Sequence, residues 1–339
     1  MGVDEELKAS IIIPTRNRAD LLARCLEALK QQTLAPESFE VLVIDNGSTD
    51  HTASVANKYI DSLQITCVCT PEPGLHNGRH AGLRLAKADI LIFADDDVEA
   101  EPAWVEAVLE TFQDPEIALV GGNNYPNFAV DPPAWMLHWW RQPKGRGHAL
   151  NSLSILDFGE GVFDIDPGYV WGCNFSIRRH TLLKARGFHP DGFPIERMRF
   201  RGDGETYVSD FVRSSNLRAV FNSQASVRHL VSENRMTRAY IEQRAYAQGI
   251  SDSYTIIRHS GGLKTPLAIN ARRKLRCIRV ELTRLIHSAM SMGDSIKREL
   301  CDVQRSALLA YRKGYEFHRK AASKDSALLD WVLKQDYLQ

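Results

Sequence analysis

The stretch LIFADDDVEAEPAW, residues 91–104, sets an apolar run against a block of acid. Residues 90–94 are apolar and predict a buried strand. Asp95, Asp96 and Asp97 follow directly at its end. Like charges this close repel one another and lose hydration free energy beside a core. In strand geometry Asp95 and Asp97 point to one side. Two hard oxygen donors so placed suit Mg²⁺ or Mn²⁺, and Mg²⁺ held by one or two carboxylates commonly takes a substrate phosphate as well. The plainer reading is a solvated acidic turn.

The flanking sequence decides between them. Apolar, β-branched runs at residues 10–14, 39–45, 64–69, 88–94 and 116–122 alternate with helical patterns at residues 19–32, 50–59, 78–87 and 101–112. Pro102 suits the first turn of the last of these. Such alternation predicts an α/β fold, a mostly parallel central sheet with helices on both faces. In open sheets of this kind ligands bind beyond the carboxyl ends of the strands. Three polar clusters fall there: Thr15-Arg16-Asn17-Arg18, Asp45-Asn46-Gly47-Ser48, and the three aspartates. One such cluster is an ordinary turn; three on one sheet edge predict a site.

Composition narrows the class. The 339 residues carry 42 Lys and Arg against 42 Asp and Glu, a formal net charge of zero, which excludes a generally basic nucleic-acid binder. No run approaches the ~18–20 apolar residues of a membrane span. The opening MGVDEELKAS has neither the basic nor the apolar region of a signal peptide. The six cysteines show no paired zinc spacing and read as free thiols of a cytoplasmic protein. The expected organisation is a catalytic unit over residues 1–230 and a helical region over 231–339. In the latter Leu282, Leu285, Ile286, Ala289, Met292, Ile296, Leu300, Val303 and Ala307 form an apolar stripe. Between Arg258 and Lys320 there are 15 Lys and Arg against 5 Asp and Glu. That stripe packs on the catalytic unit, on a second copy in a homo-oligomer, or on an anionic membrane surface; packing is the favoured reading. Trp135, Trp139 and Trp140 fit a core, a lid over a substrate, or a membrane-interface anchor.

The series ASIIIPTRNRADLLARCLEALKQQ, VLVIDNGSTDHTA, GRHAGLRLAKADILIFADDDV and GCNFSIRRHTLLKARGF resembles the successive motifs of the family 2 glycosyltransferases of GT-A fold, over roughly residues 9–230. The resemblance implies metal-dependent, inverting transfer from a nucleoside diphosphate sugar, with UDP the family-level choice, to a hydroxyl of a glycan, lipid or small molecule. It implies that Pro14, Thr15, Arg16, Asn17 and Arg18 grip the nucleotide, together with Asp45, Asn46, Arg79, Asp95 and Asp96. It makes Asp97 the direct metal ligand, with Asp95 beside it, and His229 a metal or diphosphate ligand. It sets Trp171, Gly172, Cys173 and Asn174 around the sugar and acceptor.

An inverting transfer needs a carboxylate to take the acceptor's proton on the face opposite the leaving diphosphate. The family carries a Glu-Asp pair there; this chain has Gly202-Asp203-Gly204-Glu205. Ungapped counting back from His229 puts Glu205 on the base position, with Asp203 the runner-up. Two other classes compete: a nucleotidyltransferase, which would want a Gly-rich basic loop after the first strand, and a non-catalytic scaffold that kept the fold.

Overall fold

The computed structural model describes residues 7–264 and 294–338. The central sheet is built from β1 (Ala9–Thr15), β2 (Phe39–Asp45), β3 (Gln64–Cys69), β4 (Ile90–Ala94), β6 (Ile117–Gly121), β11 (Val162–Asp164), β12 (Asn174–Arg178) and β13 (Arg218–Asn222). Their order across the sheet is β11-β13-β6-β12-β4-β1-β2-β3. The pairs β1–β2, β1–β4, β2–β3 and β6–β13 are parallel, whereas β12 runs antiparallel to both of its neighbours.

Strand alternation explains the two helix layers. Ile11 and Ile13 of β1, Val41 and Val43 of β2, and Ile92 of β4 share one core. That core includes α1 (Ala19–Lys30), α2 (Thr52–Asn57) and α4 (Trp104–Thr111). Ile12, Leu42, Ile44, Leu91 and Phe93 face the opposite core, with α3 (Leu75–Leu85), α6 (Arg179–Lys184) and α7 (Glu205–Ser214). A side-chain period of two thus divides each apolar run between two helix layers.

Two helix starts differ from expectation. α3 begins at Leu75 rather than Gly78, because Gly74 takes φ +126° and turns the chain into the helix early. α4 begins at Trp104, leaving Pro102 in the preceding turn, where its carbonyl accepts from Thr33 N.

Six further strands form a second sheet. It comprises β5 (Val98–Ala100), β7 (Asn124–Phe128), β8 (Pro143–Lys144), β9 (Gly147–Leu150), β10 (Ile155–Asp157) and β14 (Val227–Val231), in the order β5-β14-β7-β10-β9-β8. The three aspartates therefore sit at the step from one sheet to the other, between β4 and β5.

Beyond β14 the described residues are mainly helical: α8 (Arg238–His259), α9 (Ser295–Lys324) and α10 (Ser326–Leu333). Trp135 and Trp140 of α5 (Ala134–Trp140) are buried with Leu300 and Val303 of α9. Core packing is thus the outcome for those two tryptophans, and Trp139 packs partly against the same cluster. Of the described part of the C-terminal stripe, Leu300, Val303 and Ala307 pack on the body of this same chain while Ile296 is exposed; Leu282, Leu285, Ile286, Ala289 and Met292 lie outside the described residues. No described helix is long and apolar enough to cross a membrane. No disulfide joins the described cysteines, and Cys277 lies outside them.

α8 and α9 meet backbone to backbone. A Cβ on Gly249 would stand 2.1 Å from Tyr311 O, and one on Gly314 would stand 2.0 Å from Tyr246 O. Gly314→Val must push the helices apart, so it is expected to destabilise the protein by about 3 kcal/mol. A urea unfolding curve with unchanged slope and a lower midpoint is the check.

Candidate active site

β1, β2 and β4 lie side by side and parallel, so their polar ends share one edge. There a cleft of about 430 Å³ opens, lined by Pro14, Thr15, Arg16, Arg18 and Asn46 on one side, by Asp95, Asp96 and Asp97, and by Ser232, Asn234, Arg235 and Tyr240 opposite. Its size and mixed lining suit a small polar ligand.

The three aspartates have different sets of partners, with Arg18 shared between Asp96 and Asp97. Asp96 is buried; Thr15 Oγ1 donates to it at 2.7 Å and Arg18 at 2.8 Å, which ties the loop after β1 to the end of β4. Burial pushes its carboxyl up to about 6, with Arg18 opposing. Asp97 receives Arg18 and Arg235, each at 3.1 Å. Burial opposes its ionisation, but His229, Arg235 and Arg18 outweigh this and hold the carboxyl well below the usual range. Asp95 continues the alternation of Leu91 and Phe93, so it points toward the α3 face, where Arg79 lies 3.7 Å away.

β14 pairs His229 with Val98, directly after the acidic turn. His229 is buried, and its Nε2 lies 3.2 Å from Asp97 Oδ1, the oxygen to which neither Arg18 nor Arg235 donates. Arg235, which can only donate, lies 3.3 Å from the same nitrogen. A ring nitrogen facing a carboxylate oxygen is a donor pair that fits a divalent cation. No three His, Cys, Asp or Glu among the described residues converge in ligating geometry. The turn begins at Asp96, so Asp95 and Asp97 have different charged neighbours: Arg79 for Asp95, and Arg18 and Arg235 for Asp97.

Arg79 is the basic residue outside the β1 loop that was named for the nucleotide. It lines no wall of the cleft but is 2% exposed beneath it, with Phe188 under its guanidinium. It lies 3.3 Å from Glu205, 3.7 Å from Asp95 and 3.9 Å from Asp191. Gly172 is required there, since a Cβ would stand 2.2 Å from Arg79 Nη2. Its N–H also approaches Glu205 Oε1 at 3.4 Å.

Glu205 is the first residue of α7, where the helix dipole favours an acid. Burial pushes its carboxyl up, but Arg79 and backbone N–H groups outweigh that and hold it below the ordinary glutamate value. Asp203 turns away from Arg79. One oxygen meets His189 Nδ1 at 2.6 Å, and the other accepts from Thr255 of α8 at 2.5 Å.

Other expected contacts are structural in this conformation. Asn174 accepts from Trp104 Nε1 at 2.9 Å and donates to Ala225 O at 3.0 Å, so both ends of its amide are engaged inside the core. Trp171 and Cys173 belong to that core too, and none of the three lines the cleft. Asp45 closes its own turn by accepting from Ser48 N at 2.7 Å, while Asn46 reaches the cleft wall. Asn17 takes φ +53° and accepts from Thr49 N at 2.7 Å, shaping the loop that carries Arg16 and Arg18.

Sequence reasoning missed Arg235 and Asp191. Arg235 follows His229 by six residues in a segment without periodicity. Asp191 sits between Pro190 and Gly192, an ordinary turn signature. It is buried, Oδ1 accepts no hydrogen bond, and burial, partly offset by Arg79, pushes the carboxyl up to about 6. A carboxyl with a raised folded pKa holds its proton in the native state where the unfolded chain has lost it. Its contribution to stability therefore declines as pH rises from the ordinary 3.8 to about 6. Asp191→Asn removes that cost. The variant is expected to melt higher than wild type at about pH 7.5, with the difference shrinking toward about pH 4, in paired calorimetric scans.

Known proteins share this architecture. A mannosyltransferase from Pyrobaculum calidifontis, solved with GDP-Man and Mn²⁺, superposes with a TM-score of 0.53 at 18% identity, over 96% of this chain and 85% of that one. Staphylococcus aureus TarS 1–349 with UDP-GlcNAc gives 0.51 at 14% identity, over 93% and 92%. These likenesses establish the GT-A fold. In sequence, a validoxylamine A glucosyltransferase of Streptomyces hygroscopicus subsp. limoneus is 45% identical over 113 residues, 33% of this chain and 25% of that protein. A glucosyl-dolichyl phosphate glucuronosyltransferase of Haloferax volcanii is 23% identical over 252 residues, 72% of this chain and 76% of that one. The chain spans only 25% to 40% of the length of the first curated relatives it matches. The family model described as "Glycosyl transferase family 2" matches residues 10–182, just over half of the chain, and the chain belongs to that family.

Proposed function

We propose that the protein transfers a sugar from a nucleoside diphosphate sugar to an acceptor hydroxyl with inversion, assisted by Mn²⁺ or Mg²⁺. UDP-sugars are the first choice of donor and GDP-mannose the second, since similar folds have been solved with each. The observation that carries this reading is the junction at Arg79. One buried guanidinium lies 3.7 Å from Asp95 of the acidic turn and 3.3 Å from Glu205. The acids of the cleft and the candidate base are thus a single arginine apart.

In this reading Arg16 and Arg18 take the diphosphate, and Asn46 meets the nucleoside side of the cleft. Asp97 and His229 would hold the divalent ion, which when bound neutralises the charge that develops on the departing diphosphate. Asp95 lies beside the sugar and is held in place by Arg79. Glu205 accepts the acceptor hydroxyl's proton as that oxygen attacks the anomeric carbon. It remains ionised at neutral pH because Arg79 stabilises its charge. Exclusion of water by Arg79, Phe188 and Gly172 beneath the site strengthens each of these interactions.

Inversion is tested on sugar released to water. Early proton NMR spectra of UDP-glucose hydrolysis, taken before mutarotation, are expected to show β-glucose from the α-linked donor. Early α-glucose would contradict the single-displacement reading. A scaffold without activity is the second reading, prompted by the Gly202–Glu205 departure from the family's acid pair; it predicts no release at all.

A further inference from the structure

Asp203, two residues before Glu205, is a buried carboxylate with no arginine or lysine on it among the described contacts. Burying a charge is expensive unless it is well satisfied. Its partners come from two separate parts of the fold. His189 lies on the segment that follows α6, and Thr255 lies in the middle of α8. Burial pushes the His189 ring below its ordinary value, so it is neutral and donates Nδ1–H to Asp203.

The surrounding contacts form a clamp. His189 stacks on Tyr207 of α7 with ring centroids 3.6 Å apart. Its backbone N–H reaches Gly204 O at 3.3 Å, and Gly202 N–H reaches Pro190 O at 2.7 Å. Ser251 Oγ of α8 donates to Gly202 O at 2.6 Å. On the far side the same segment is fixed by α3: Phe188 N–H donates to His80 Nε2 at 2.9 Å, and Asp191 N–H approaches His76 Nδ1 at 3.4 Å. Gly204 has φ +55°, and a Cβ there would stand 2.6 Å from Asp191 Oδ2. The first turn of α7 therefore has its entry fixed on one side by the sheet domain and on the other by the C-terminal helix.

We propose that Asp203 is a positioning residue: with His189 and Thr255 it locks the start of α7 so that Glu205 meets Arg79, which makes α8 a working part of the active site. This rests on the reading of Glu205 as the base. An asparagine at 203 can accept from His189 through Oδ1 and donate to Thr255 Oγ1 through Nδ2, so the amide rescues a positioning role and abolishes a basic one. An alanine does neither.

The test follows the Glu205 carboxyl by ¹³C NMR, identified by its absence in Glu205→Gln. It also follows amide exchange over residues 204–208, all in the full chain. In Asp203→Ala and Thr255→Val the Glu205 pKa is expected to climb toward the ordinary glutamate range, and first-turn amides to exchange about tenfold faster. Asp203→Asn is expected to keep both near wild type. In UDP-glucose hydrolysis with Mn²⁺, Asp203→Ala loses about tenfold or more in kcat with KM little changed, and Asp203→Asn recovers most of it. A Glu205 titration unmoved in Asp203→Ala overturns the proposal. So does an Asp203→Asn variant as inactive as Glu205→Gln. UDP binding by calorimetry is read separately. If no nucleotide binds, the donor reading fails, while the NMR titration still decides whether Asp203 sets Glu205.

Discussion

Glu205→Gln is expected to lower turnover by ~10²–10⁴-fold, the span of general-base catalysis, while leaving nucleotide affinity within about threefold. Gln keeps the length and one acceptor oxygen, so the start of α7 stays packed. It removes the negative charge 3.3 Å from Arg79. Asp95 and Asp191 remain beside that guanidinium, so the arginine keeps counter-charges and the fold does not collapse. The loss should appear in kcat, because the proton moves only as the acceptor attacks. Comparing kcat and KM for UDP-glucose hydrolysis with Mn²⁺ separates this from a binding defect. An unchanged kcat would pass the base role to another carboxylate, with Asp203 first in line.

The second large effect is expected at Asp97. Asp97→Ala removes one half of the Asp97–His229 pair and releases two guanidinium groups. Metal-dependent affinity for a nucleoside diphosphate should fall more than ~100-fold, beyond what loss of a residue behind a ligand causes. Metal-free affinity should move the opposite way. Arg18 and Arg235 each spend a contact on Asp97 at 3.1 Å, and without it both become available to phosphate. A variant that binds UDP better without Mn²⁺ and no better with it would carry both halves of this account. Equal loss in both conditions would mean that Asp97 merely supports the shape of the cleft. Asp96→Ala makes a useful contrast. It breaks the tie to Thr15 and Arg18, so it should weaken nucleotide binding with and without metal alike.

The sequence carried the sheet well, for a physical reason. Ile11-Ile12-Ile13 and Leu91-Ile92-Phe93 are apolar at every position because helices cover both faces, and such runs admit little besides a buried strand. The edge location of the polar clusters followed from the same pattern, because parallel strands must end on one side. Side-chain direction was less legible. Arg79 is buried, because Gly172 leaves room there: a Cβ at Gly172 would stand 2.2 Å from Arg79 Nη2. Nothing in local composition reveals such a space. Asn174 and Trp171 carry polar groups that read as ligand contacts, yet Trp104, Ala225 and Gly168 satisfy them. Long-range pairing decided each case, and short-range pattern holds no record of it.

The Gly202–Glu205 segment shows the same limit from the other side. Ungapped counting from His229 onto the family's acid pair, a matter of resemblance, put Glu205 ahead of Asp203. What separates the two in the structure is Thr255, 52 positions away from Asp203 on a helix outside the matched family region. From Leu300 on, the described part of the C-terminal stripe behaved as helix packing requires. Leu300 and Val303 bury against Trp135 and Met136, since an apolar stripe must be covered and this chain supplies the cover.

Calorimetric titration of the wild-type chain with UDP, GDP and their sugar conjugates, with and without Mn²⁺, tests the central claim most directly. The account predicts that one nucleoside diphosphate binds, that Mn²⁺ tightens it by at least about tenfold, and that Mn²⁺ alone binds weakly while Arg18 and Arg235 occupy Asp97. Failure of every nucleotide to bind, with Mn²⁺ present, would contradict it and leave the cleft at the strand ends without a donor.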